Sequence, residues 1–144
     1  KEPDYITPKL IEDNPEIKKV YDNYMSKVWE AKNKLLENGA KPEHAQYLLP
    51  NAVSIRMVES GNYLNLWHKW RLRTCLNSQR EIWRASLEEI EQISEHFPNL
   101  TKHVGPECTF RHKAGVKPFC LEGSRTCGWP VWMWDKIEPD ARKV

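Results

Sequence analysis

Long apolar runs are missing from this chain: no stretch of its 144 residues approaches the roughly 20 consecutive apolar residues that a bilayer-crossing helix requires. An excess of one charge is missing too. Lys and Arg number 22 against 20 Asp and Glu, a net charge of +2, which argues against the broad electrostatic grip of a protein that binds DNA or RNA polymers. A single phosphate or nucleotide stays within reach. The opening "KEPDYITPK", charged and punctuated by proline, does not read as a secretory signal. The chain also lacks an initiator methionine, which points to a processed or truncated start. No repeat is visible, and no Cys-x-x-Cys pair is present. Four cysteines without an export signal read as reduced thiols or metal ligands rather than disulfides. The expectation is a soluble, cytoplasmic protein with a modest core.

The fold class expected is α+β and mostly helical. Residues 1–13 read as an extended lead-in. Asn14-Pro15 is an N-cap followed by proline at the first helical position. Ile17, Val20, Tyr21, Tyr24, Val28, Ala31 and Leu35 recur at helical spacing until Gly39 caps the run. "KPEHAQYLLP" is a short helix between Pro42 and Pro50. Residues 51–58 alternate, Val53, Ile55 and Met57 against Ser54 and Arg56, and predict a strand. A helix follows from about residue 60 to 75, and Ser78 with Glu81 at capping-box spacing opens another. That helix carries Trp83, Leu87, Ile90, Ile93 and Phe97 on one stripe and stops at Pro98. Residues 1–97 thus form a helical body, and 98–144 a loop-rich segment holding three of the four cysteines and three of the seven tryptophans.

The segment "NYLNLWHKWRLRTCLNSQREI" at 62–82 mixes polar groups with tryptophan and leucine. At about 100° per residue, Asn62, Lys69 and Arg73 fall within about 40° of one another, while His68 lies about 120° from Asn62. Asn, Lys and Arg on one face suit an anionic or heteroaromatic ligand. A solvated polar face is the plainer reading of the spacing alone.

Residues 42–98 as a whole resemble the C-terminal half of a flavin-dependent thymidylate synthase. Glu43, Ala45, Leu49 and Pro50 match one part of that family's pattern; Asn62, Leu72, Arg73, Gln79, Glu81 and Ile82 match the next. The resemblance implies conversion of dUMP to dTMP, with methylenetetrahydrofolate giving the carbon, reduced FAD the hydride, and NADPH regenerating the flavin. It implies that Arg73 contacts the uracil and favours its deprotonated form, and that Asn62 and His68 contact flavin. Contact of both with one flavin further implies that the helix starts after Asn62, or that the cofactor wraps its start. It also implies a homotetramer whose sites are shared between subunits.

The pattern is incomplete. Gln46 stands where the family carries an arginine that meets the dUMP phosphate, leaving Arg56 or Lys69 to supply the charge. The family's Arg-His-Arg-x-x-Ser motif is absent, and "FRHKAG" at 110–115 only imitates it. The simplest account is a C-terminal fragment with half an active site and little turnover alone. Two alternatives stand beside it: a non-catalytic nucleotide- or partner-binding relative, zinc-stabilised in one form, and a pyrimidine hydroxymethyltransferase. For zinc, Cys108, Cys120 and Cys127 are the ligand candidates, completed by His103 or His112. Cys75 reads as a packing residue. "WPVWMW" at 129–134 reads as a subunit interface.

Overall fold

Asn14 starts the longest helix by satisfying donors that a helix leaves orphaned at its first turn. In the computed structural model, which describes residues 2–130, its Oδ1 accepts from the backbone N–H groups of Glu16 and Ile17, both at 3.2 Å. Helix α2 (Pro15–Glu37) follows α1 (Lys9–Glu12) and closes on Gly39, whose φ of 86° suits only a residue without a Cβ. Gly39 N–H donates to Leu36 O and Ala40 N–H to Leu35 O, each at 3.0 Å, the paired bonds of a Schellman ending. Helix α3 (Pro42–Ala45) then runs into a 3₁₀ turn, Gln46–Leu48.

These elements belong to one compact unit, which ends at Glu59; a second begins at Ser60. In the first, α2 buries Met25 and Trp29, and the Tyr5 ring leans on Trp29 at 5.9 Å and on Tyr21 at 5.7 Å. Much of the apolar row expected to face the core is turned outward instead, with Val20 70% and Tyr24 61% exposed, while Tyr21 and Val28 are half-buried. The elements that pack on α2 are short, so they cover the Met25–Trp29 side and no more.

The strand expected over 51–58 is reduced to a single antiparallel bridge between Tyr5 and Val53. Beyond it Ile55, Met57 and Val58 stand in solvent, each at least 79% exposed. Alternation of side chains makes a strand only when a partner edge exists. Here the partner is a short arm between Pro3 and Pro8, which lack N–H donors. The described fold is therefore mostly helical, and the α+β expectation is corrected.

In the second unit, α4 (Tyr63–Arg73) and α5 (Arg80–His96) meet around Trp70 and Trp83, both 0% exposed. A buried indole needs an acceptor. Trp70 Nε1 donates to Glu89 at 2.9 Å and Trp83 Nε1 to Thr74 O at 3.2 Å. Gln79 occupies the cap position of α5 without a side-chain capping bond, and the Ser78 hydroxyl donates back to Leu72 O at 3.1 Å. Ser78 is thus used to close the α4–α5 turn, and the helix begins two residues beyond it. Helices α6 (Pro98–Thr101) and α7 (Glu107–Lys113) follow, then a 3₁₀ turn at Gly123–Arg125. Residues 131–134 of the tryptophan-rich run lie outside the described residues.

Candidate functional site

Asn62, His68 and Arg73 all lie on or at the start of α4, in the second unit. Asn62 is the N-cap: its Oδ1 accepts from Asn65 N–H at 3.0 Å. The helix therefore begins after Asn62, one of the two arrangements expected if Asn62 and His68 both contact a flavin. Arg73, at the last turn, is exposed and makes no ion pair among the described residues. It ends the helix, where cations complement the carbonyl dipoles. Lys69 is different. Its Nζ sits 2.7 Å from Glu89, the carboxylate that also takes the Trp70 indole proton, so this lysine ties α4 to α5 and is withdrawn as a phosphate ligand. Gln46 lies in the first unit, exposed, where α3 passes into the 3₁₀ turn. Arg56, also in the first unit, is exposed and has no ion pair among the described residues.

His68 is exposed and lines a hollow of about 310 Å³ together with Arg71, Leu72, Cys75, Glu107 and Leu121. Arg71 builds one wall. Its guanidinium lies 4.3 Å from the Trp67 ring centre and 5.4 Å from that of Phe110, and it pairs with Glu107. Stacking on both rings while paired with a carboxylate is an arrangement a planar guanidinium allows and an ammonium does not. The result pins α7 against α4. Sequence reasoning missed Arg71, although Trp67 and Arg71 at i and i+4 were a usable signal for a stacked pair.

The hollow continues into a smaller one lined by Cys75, Cys108, Cys120 and Cys127. Burial pushes the Cys108 thiol up to about 11, and the other three cysteines add to the rise. Burial also raises Cys75, partly offset by the Asn77 backbone N–H, which hydrogen-bonds to its sulfur. His112 meets the Phe119 ring edge-on at 5.0 Å, and neither it nor the exposed His103 lines this hollow.

Residues 1–99 match the family model described as thymidylate synthase complementing protein. This chain belongs to the flavin-dependent thymidylate synthase family. It is 35% identical over 91 residues to the flavin-dependent thymidylate synthase of Saccharolobus solfataricus, covering 63% of this chain and 32% of that protein. The enzyme of the same name from Sulfurisphaera tokodaii is 33% identical over 103 residues, 72% of this chain and 39% of the relative. That of Geobacter sulfurreducens is 26% identical over 123 residues, 85% and 50% respectively. The chain thus spans between about a third and a half of the length of these relatives. No solved structure matches it. The matched residues 1–99 hold α4 with Asn62, His68 and Arg73, whereas Cys108, Cys120 and Cys127 lie beyond them.

Proposed function

We propose that this chain supplies the uracil- and flavin-facing helix of a flavin-dependent thymidylate synthase, with α4 as that helix and Arg73 as the group that meets the pyrimidine. The carrying observation is that Arg73 is an exposed guanidinium with no ion pair among the described residues, one position from Leu72 in the wall of the His68 hollow. A guanidinium stays charged at any working pH, so it favours the uracil carrying negative charge on its ring and stabilises charge that develops there. Arg71, which lines the hollow, is held by Glu107, and Lys69 on the same helix is held by Glu89.

Asn62 and His68 are the donors this chain offers to FAD. The hollow, about 310 Å³, has the lower volume typical of ligand sites and takes only part of such a ligand; its rim offers the His68 imidazole. Asn62 keeps its amide NH₂ while its Oδ1 caps the helix. When bound, reduced FAD supplies the hydride, methylenetetrahydrofolate the carbon, and NADPH the reducing power. Within this chain, Asn62 and His68 hold the flavin at the start and middle of α4, and Arg73 orients the nucleotide at its end. Gln46, at the position where the family carries an arginine, can donate hydrogen bonds to a phosphate but brings no charge.

The intact enzyme is proposed to be a cytoplasmic homotetramer. The outward row of α2, with Ile17, Val20, Tyr24 and Leu35 each at least 40% exposed, supports association with another copy. Because the chain covers at most half of these relatives, binding is the decisive readout. Titration calorimetry with dUMP and flavin absorbance after loading with FAD are expected to show both ligands bound. Arg73→Ala is expected to weaken dUMP at least tenfold and leave FAD unchanged. Equal dUMP affinity in wild type and variant would remove Arg73 from the site.

A further inference from the structure

All four cysteines of the chain line one small hollow, though they come from separate places in the sequence. Cys75 follows the C-terminal cap of α4. Cys108 is in the first turn of α7, and Cys120 and Cys127 flank the 3₁₀ turn Gly123–Arg125. None is in a disulfide, and each is half-buried. Cys108 lies close enough to feel the charge of Cys75, Cys120 and Cys127, and Cys75 that of Cys120 and Cys127. The space at the centre is about 30 Å³, which accommodates a single ion or water.

We propose that Cys75, Cys108, Cys120 and Cys127 form a tetrahedral zinc site that fastens the C-terminal segment to the turn between α4 and α5. Sulfur-only shells of four select zinc over harder cations. Among the described residues no three ligand-type side chains converge at metal-holding geometry. The thiols line the space, and the site requires rotation about their Cα–Cβ bonds to bring the sulfurs onto a common centre. Each thiol that binds releases its proton to solvent.

Two further observations point to the same place. The Asn77 N–H already bonds to the Cys75 sulfur, a donor that supports a thiolate. Trp129 lines the hollow, and its indole Nε1 is buried with no hydrogen-bond partner. A metal-bound thiolate would give that proton an acceptor. The segment also has need of a fastener. Residues 114–130 contain only one 3₁₀ turn as regular structure, and Asn77 Nδ2 to Arg125 O, at 2.6 Å, is a rare side-chain tie back to the α4–α5 turn. Unlike the flavin reading, this site rests, save for Cys75, on residues beyond the 1–99 matched by the family model, so either can fail alone.

The test is elemental analysis of the whole chain purified without chelator, followed by cobalt titration of the metal-free protein. The expected result is one zinc per chain, four thiols protected from alkylation until the metal is removed, and cobalt spectra showing strong sulfur-to-metal charge transfer with tetrahedral d–d bands. Cys75→Ser and Cys120→Ser are each expected to lose bound zinc; if either fails to fold, the wild-type cobalt spectrum decides. A metal-free chain that stays folded and takes up no cobalt overturns the proposal. Disulfides found by mass spectrometry in the freshly purified chain, or zinc retained by Cys75→Ser, overturn it too.

Discussion

Arg71 and Arg73 are two residues apart with opposite fates. Arg71 is clamped between Trp67 and Phe110 and paired with Glu107, whereas Arg73 stands in solvent. Substitution should separate the two roles. Arg71→Ala removes a stacked, paired cation from a partly buried place and is expected to destabilise the second unit by roughly 2 kcal/mol, read in urea unfolding. Arg73→Ala is expected to change stability by less than about 0.5 kcal/mol. A stability loss at Arg73 as large as that at Arg71 would show that the exposed guanidinium has structural work after all. Asp22 offers a pH-dependent case. Its carboxyl is held below its ordinary value first by the Lys18 hydrogen bond and then by that of Tyr5. A depressed carboxylate contributes stability above its unfolded pKa and loses it as pH falls through the lower folded value. Asp22→Asn is therefore expected to flatten the acid limb of the first unit's stability below about pH 4, checked by circular dichroism across pH. An unchanged limb would assign it to other carboxylates.

Among the elements, α2 was legible because both of its ends are local chemistry. Asn14 caps its start, and Gly39, at a φ of 86°, takes the conformation its end requires. Asn14→Ala is expected to cost about 1 kcal/mol, and Gly39→Ala a similar amount, about 1 kcal/mol, in thermal melts. A neutral Gly39→Ala would mean the helix frays there instead of ending. The start of α4 was half legible: Asn62 caps it, but the expected beginning near residue 60 was too early. The strand failed because periodicity describes a chain's own faces and says nothing of whether a neighbour pairs with them. Tyr5 pairs with Val53 and nothing continues the ladder. Ser78–Glu81 failed similarly, its spacing being right while the hydroxyl was needed at Leu72 O.

At the scale of the whole molecule, the outward apolar residues of α2 depart from a self-sufficient fold. If they join copies, as proposed, Val20→Glu combined with Tyr24→Glu is expected to shift the mass in light scattering from oligomer to a smaller species, with helicity retained. An unchanged mass would take α2 out of the interface. The family was readable from a single helix and its flanks because Asn62, Leu72, Arg73, Gln79, Glu81 and Ile82 keep their order and spacing.

Residue order along the chain carried the helix signals, the caps and the family pattern, since each depends on neighbours within a few positions. It also contained every cysteine, but not their meeting. Cys75 and Cys127 are 52 positions apart, and spacing assigned Cys75 to packing and His103 or His112 to the fourth ligand. Only the return of α7 and the irregular segment to the α4–α5 turn placed Cys75 beside the other three. The same return enclosed the hollow beside His68 and clamped Arg71. Such contacts arise when distant segments cover one another's apolar surface, and no local rule along the chain encodes which surface will be covered.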